Sequence, residues 1–176
     1  MQLLNINLRL YAQSSLIVFL FILFSCNKEE TKIPETCVGK LYISPENYNT
    51  DSVTIFAPNI FTPDGYGAKN NERFFFHSTG ITQIETKIFE NGVLIFESDD
   101  MYEGWDGKIN GKVDYGLYHY SAIATTIHDE KLELTGFIRS IHGTNPVSNC
   151  EDCRFSDQIV PGHGFVHPTM ESLKCE

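Results

Sequence analysis

Apolar and polar positions divide this chain into four stretches. Residues 1–25 carry one charge, Arg9, followed by the polar Gln13, Ser14 and Ser15 and then an unbroken apolar run over residues 16–24, LIVFLFILF. A spanning helix needs ~20 apolar residues, so the run is short for one. A charged start ahead of a short apolar core is the layout of an export signal. Residues 26–50 turn polar and include Pro34 and Pro45, a composition suited to a tether or spacer. Residues 51–141 alternate short β-rich runs with turn residues. Residues 142–176 are rich in glycine, proline and cysteine, with too few apolar residues for a core of their own.

Six runs in the third stretch read as strands: residues 52–57, 73–78, 84–89, 93–97, 117–126 and 131–141. They are rich in Val, Ile, Phe, Tyr and Thr and separated by turn residues. Glu90-Asn91-Gly92 between two of them is a hairpin signal, because Asn and Gly both tolerate positive φ. Residues 127–130 join the last two runs in a second hairpin. Leu132 and Leu134 alternate with charged Lys131 and Glu133, with Phe137 a further candidate for the buried face. Tyr118 and Tyr120 sit two apart and so share one sheet face. Trp105, the only tryptophan, is expected in the core with its indole N–H on a backbone carbonyl. Asp106-Gly107 then makes a turn. No long helical period follows residue 26. Six or seven short strands over about 90 residues predict an all-β fold, a β-sandwich.

The end of the apolar run, Leu23-Phe24-Ser25-Cys26, resembles the lipobox of bacterial lipoproteins: an aliphatic residue, a tolerant position, a small residue, then cysteine. The resemblance implies cleavage before Cys26, lipid on its sulfur and acylation of the freed amine. Several acyl chains together give stable anchoring where one gives marginal anchoring. The next residues, Asn27-Lys28-Glu29-Glu30-Thr31, resemble the lipoprotein export signal of gliding bacteria with type IX secretion. In that family Lys28, Glu29 and Glu30 would direct display on the outer face of the outer membrane. A solvated tether is the competing reading of the same five residues.

A second resemblance covers about half the chain. Pro58-Asn59-Ile60-Phe61-Thr62-Pro63-Asp64-Gly65-Tyr66-Gly67 resembles the opening of the gliding motility-associated C-terminal domain. Ile88-Phe89-Glu90-Asn91-Gly92-Val93-Leu94-Ile95-Phe96-Glu97-Ser98 is similar to its second segment. Gly104-Trp105-Asp106-Gly107, Asn110-Gly111-Lys112, Gly116-Leu117-Tyr118-His119-Tyr120 and Gly136-Phe137-Ile138-Arg139 follow in the family's order and spacing. Each element alone is weak; the ordered set over residues 53–141 is specific. It implies an immunoglobulin-like β-sandwich of about seven strands. Two departures stand out in the first loop. Tyr66 replaces the second acid, and Asn70-Asn71-Glu72, one residue longer, replaces the family's Asn-Asp pair. Asp64, Asn70 and Glu72 are thus a thin oxygen set for calcium, which wants several carboxylates. The family domain normally ends its protein and serves as a type IX sorting signal. Here 35 residues follow Ile141, so the fold is expected to carry over better than the sorting role.

Charge and cysteine content narrow the chemistry. The chain of 176 residues has a net charge of −10, and loss of Arg9 with the signal makes it one unit more negative. That excludes the basic patch nucleic acid requires. Five cysteines are present. Assigning Cys26 to lipid leaves Cys37, Cys150, Cys153 and Cys175, an even number that suits two disulfides in an oxidising compartment, with three pairings open. The competing reading takes Cys150, Cys153, His163 and His167 as zinc ligands, from their paired spacing. A redox role for Cys150 and Cys153 is disfavoured, because Glu151 and Asp152 between them would raise a thiol pKa.

No nucleophile elbow, metalloprotease helix, phosphate loop or dinucleotide fingerprint occurs. The sequence therefore predicts a non-enzymatic protein without cofactor, held on the outer membrane by its N-terminal lipid. Its module would serve a protein or surface interaction at the envelope, accessory to gliding or type IX secretion. The alternatives are a type IX cargo carrying a sorting domain, and a zinc-binding or redox tail protein.

Overall fold

The computed structural model describes residues 35–46, 48 and 52–176. Cys26, Lys28, Glu29, Glu30 and the cleavage site lie outside the described residues. Within them the chain is all-β. The first strands are β1 (Glu35–Thr36), β2 (Tyr42–Ser44), β3 (Thr54–Phe56), β4 (Ile60–Phe61) and β5 (His77–Thr79). The long central strands are β6 (Ile81–Glu90), β7 (Val93–Ser98), β10 (Gly116–Thr126) and β11 (Lys131–Ser140), with the short pair β8 (Lys108–Ile109) and β9 (Lys112–Val113) between them. The tail adds β12 (Pro146–Ser148), β13 (Ile159–Val160), β14 (Gly164–Phe165) and β15 (Lys174–Cys175).

The main sheet runs β2-β11-β10-β6-β7, all antiparallel, with β4 parallel to β11. Alternation decides its inner face. Tyr118, Tyr120, Ala122 and Ala124 of β10 are buried, as are Leu132, Leu134 and Ile138 of β11 and Ile84 and Ile88 of β6. Register sets Tyr120 opposite Gly136 on one side and Ile88 on the other. A side chain at Gly136 would collide with the Tyr120 hydroxyl and ring, so the glycine is what admits the tyrosine.

A second layer covers this face, giving a sandwich. It comprises the antiparallel β3–β5 pair, with Val53 and Ile55, and the segment holding Phe74 and Phe76. Phe74 and Trp105 exchange backbone hydrogen bonds of 2.9 and 3.0 Å. Trp105 is 1% exposed; its ring packs on Phe61 and Tyr118 at 5.4 and 4.6 Å, and Nε1–H donates to the Lys108 carbonyl at 3.3 Å. Burial of each such side chain contributes ~1.5–3 kcal/mol. The Tyr118 hydroxyl donates to Asp114 Oδ2 at 2.8 Å, and burial, reinforced by that carboxylate, raises its pKa.

Four sequence expectations differ from this arrangement. Phe137 faces outward, because the two-residue period from Leu132 runs through Gly136 and Ile138; its ring lies 5.4 Å from His119 on the outer face. The run 73–78 is not one strand: Phe74 bridges to Trp105, and β5 begins only at His77. Part of the stretch read as spacer is structured, since β1 pairs with β12 and β2 forms an edge of the main sheet. The tail, finally, shares a core. Val147, Cys153 and Phe155 are buried with Cys37, Ile60 and Ile141 in a second apolar cluster.

Candidate functional site

The tail closes over the loop that opens the second family resemblance. Asn59 follows Pro58 and precedes buried Ile60 and Phe61, so its amide is carried inward and must find partners. It finds them in the tail backbone. Its Oδ1 accepts from the Arg154 N–H at 2.8 Å and its Nδ2 donates to the Asp152 carbonyl at 2.9 Å. Its own N–H donates to the Arg154 carbonyl at 3.0 Å.

Asn71 repeats the device at the other end of the loop. It is fully buried, its N–H donates to the Ala68 carbonyl, and its carbonyl accepts from Thr62 at 2.7 Å. Its side-chain Oδ1 accepts from the Asp157 N–H at 2.9 Å, while Nδ2 donates to Glu171 Oε1 at 3.0 Å. The same Glu171 oxygen accepts from the Ala68 N–H at 3.0 Å. Gly67 permits that approach, since a Cβ there would overlap the Glu171 carboxylate. Asp64 completes the closure. It accepts from Tyr66 N–H at 3.0 Å within the loop and from Gly143 N–H at 2.6 Å in the tail.

Beside these fastenings lies an open cleft of about 430 Å³ lined by Asp64, Tyr66, Gly67, His142, Met170 and Glu171. Its polar groups do not form a proton relay. Thr144 Oγ1 lies 2.9 Å from His142 Nδ1, and Asp64 Oδ2 lies 3.9 Å from that same nitrogen. A triad needs nucleophile and acid on opposite ring nitrogens. The carboxylates of Asp64 and Glu171 serve as acceptors that fasten loop to tail. For calcium the loop is poorly disposed: both Asp64 oxygens are engaged by backbone N–H groups, and Asn70 is exposed.

The cysteines complete the tail's attachment. Cys37 is joined to Cys153 and Cys150 to Cys175. The residues Cys150–Asp152 form a 3₁₀ turn that points neighbouring cysteines to different partners. Cys150 and Cys153 therefore have no thiolate for zinc, and His163 and His167 remain without cysteine co-ligands. Among the described residues no group of three or more His, Cys, Asp or Glu gathers around a common point. Trp105, Tyr118 and Tyr120 lie together in the core, away from the loop's surface.

Asn59, Asn71, Asp64 and Glu171 were not singled out from the sequence as fastenings. A signal was present: an asparagine held between Pro58 and two apolar residues cannot reach water easily. Its partners, 93 and 95 residues away, had no signature of their own. Compared with known proteins, the chain matches no family model, no curated protein and no solved structure.

Proposed function

We propose that this chain is an exported lipoprotein, cleaved before Cys26 and held on the outer membrane by lipid on that cysteine. It presents one immunoglobulin-like module resembling the gliding motility-associated C-terminal domain. The module is non-enzymatic, takes no cofactor, and serves a protein or surface interaction accessory to gliding or type IX secretion. The observation that carries this reading is the cysteine arithmetic. Four of the five cysteines are joined to one another, which leaves Cys26, at the end of the apolar run, as the one sulfur available for lipid. Two disulfides also suit an oxidising compartment outside the cytoplasm.

The tail's closure over the first loop favours this reading over that of a secretion cargo, because a terminal sorting signal would have to act beneath 35 further residues. A reporter fused ahead of residues 33–176 discriminates the two. Retention is expected; delivery through the type IX system would favour the cargo. For the anchor, a palmitate analogue should label the natural protein and not Cys26→Ala. For the address, Lys28, Glu29 and Glu30 all changed to Ala should keep the lipid while losing sensitivity to protease added to intact cells. Equal sensitivity would refute the address.

A further inference from the structure

We propose that the open edge of the sandwich binds a small amphipathic carboxylate, in chemistry a medium-chain fatty acid. Its hydrocarbon would lie against Ile43, Ile55, Phe56 and Phe165, and its carboxylate between Lys40 and Arg154. The proposal stands independently of the lipid anchor. It begins from topology. Among the described residues β2 pairs only with β11 and β3 only with β5, and no strand joins the two layers along this side. The gap is a cleft of about 310 Å³ walled by Leu41 and Ile43 on one layer, Ile55, Phe56 and Ala57 on the other, and Phe165 from the tail. Phe56 and Phe165 meet edge to face at 6.1 Å, and the Gly164 backbone packs closely enough on the Phe56 ring that a Cβ would stand 3.2 Å from it. Between its polar rim residues the wall side chains are apolar, and the one amide there, Asn59, is already engaged by the tail backbone, so this part of the cleft favours hydrocarbon. At ~30 Å³ per water-sized group the space admits roughly ten methylenes.

The rim supplies the other half of the ligand. Lys40 and Arg154 line both this cleft and a second one of about 590 Å³ that continues toward Tyr42 and Phe137. The chain carries 23 acidic residues against 13 Lys and Arg, yet neither cation has a carboxylate partner among the described residues. Among the described residues the Lys40 side chain has no hydrogen-bond or ion-pair partner. Arg154 Nη1 donates to the carbonyls of Glu151 and Cys153 at 2.6 and 2.9 Å, and its guanidinium lies 5.9 Å from the Phe165 ring centre. These contacts hold the guanidinium at the mouth of the cleft without neutralising it. Asp152, the acid on the second cleft, accepts from Asn149 Nδ2 at 2.8 Å, and both polar ends of Asn59 are engaged by the backbone. An open, largely apolar cleft edged by two cations without a carboxylate partner among the described residues complements an anion with a hydrocarbon tail.

The test uses the purified full chain and a diazirine-bearing decanoic acid as photolabel. Label is expected on peptides containing residues 39–57 and 154–165. Decanoate should compete it away, and decylammonium, of equal length and opposite charge, should not. Lys40→Glu should lower labelling about tenfold and Lys40→Arg restore it; Lys40 is exposed, so both variants should keep their two disulfides, checked by intact mass. Labelling elsewhere, no labelling, equal competition by decylammonium, or undiminished labelling of Lys40→Glu would each overturn the proposal.

Discussion

Asn71 and Glu171 stand 100 residues apart and meet through a 3.0 Å hydrogen bond from Nδ2 to Oε1. The bond is charge-assisted and one of its partners is fully buried, the circumstances in which loss of one group leaves the other unsatisfied. Asn71→Ala should therefore destabilise the oxidised protein by ~2–3 kcal/mol in urea unfolding. Protease should reach residues 142–176 earlier than in the natural chain. A change below ~0.5 kcal/mol, the usual effect of a surface substitution, would show that the asparagine does not fasten the tail.

Gly67 tests the same closure by a different route. Its φ lies outside the left-handed region, so alanine is compatible with the backbone, and the nearest obstruction is the Glu171 carboxylate. Gly67→Ala should cost ~1–3 kcal/mol by displacing that carboxylate from Ala68 and Asn71. In a Glu171→Ala background the same change should cost much less, because nothing remains to displace. Additive costs in the double-mutant cycle would place the effect elsewhere.

His77 gives a pH dependence with a definite sign. Burial lowers its imidazole from 6.5 to about 4, and Nε2 has no hydrogen-bond partner in its buried position. The folded state thus resists a proton that the unfolded chain accepts. Stability from this residue is full above pH ~6.5, falls as pH drops toward 4, and levels off below that. The shift corresponds to at most ~3 kcal/mol, reduced to ~1–2 kcal/mol by solvent screening of a half-buried ring. His77→Phe keeps the stacking on Phe75, 4.6 Å away, and should flatten unfolding free energy between pH 4 and 6.5. An unchanged slope would assign the dependence to other groups.

The disulfides should contribute unequally. Cys37–Cys153 closes 116 residues and Cys150–Cys175 closes 25. On the chain-entropy account the longer loop is worth about 1.4 kcal/mol more, and it joins two buried residues of the core that the tail shares with Ile60 and Ile141. Replacing Cys37 and Cys153 together with serine should cost ~3–5 kcal/mol. Replacing Cys150 and Cys175 should cost less and loosen chiefly the last strand. Calorimetry of the two double variants checks the order; equal costs would argue against it.

The sandwich was legible where one side of a strand is buried. β6, β10 and β11 announce themselves because Ile84, Ile88, Tyr118, Tyr120, Leu132 and Leu134 repeat at even spacing. Phe137 misled for the same reason: a large apolar residue beside a glycine is read as core, whereas Gly136 holds the inward position and Tyr120 fills its space. β2 carries only one partly buried apolar residue, Ile43, in three, too short a pattern to distinguish from a tether. The tail's attachment was hidden more deeply. Two disulfides were expected from an even cysteine count, but the choice among three pairings depends on which chains meet in space. The polar clamps of Asn59 and Asn71 likewise depend on backbone groups and one carboxylate 86 to 100 residues distant, and no local pattern records them.

Intact-mass analysis of the protein taken from the cell envelope, with peptide mapping of its N-terminus, tests the central claim most directly. The account predicts a chain that begins at Cys26, carries lipid on that residue, and shows no free thiol before reduction and four after it. A chain beginning at any other residue, or one with Cys26 unmodified and titratable, would contradict it.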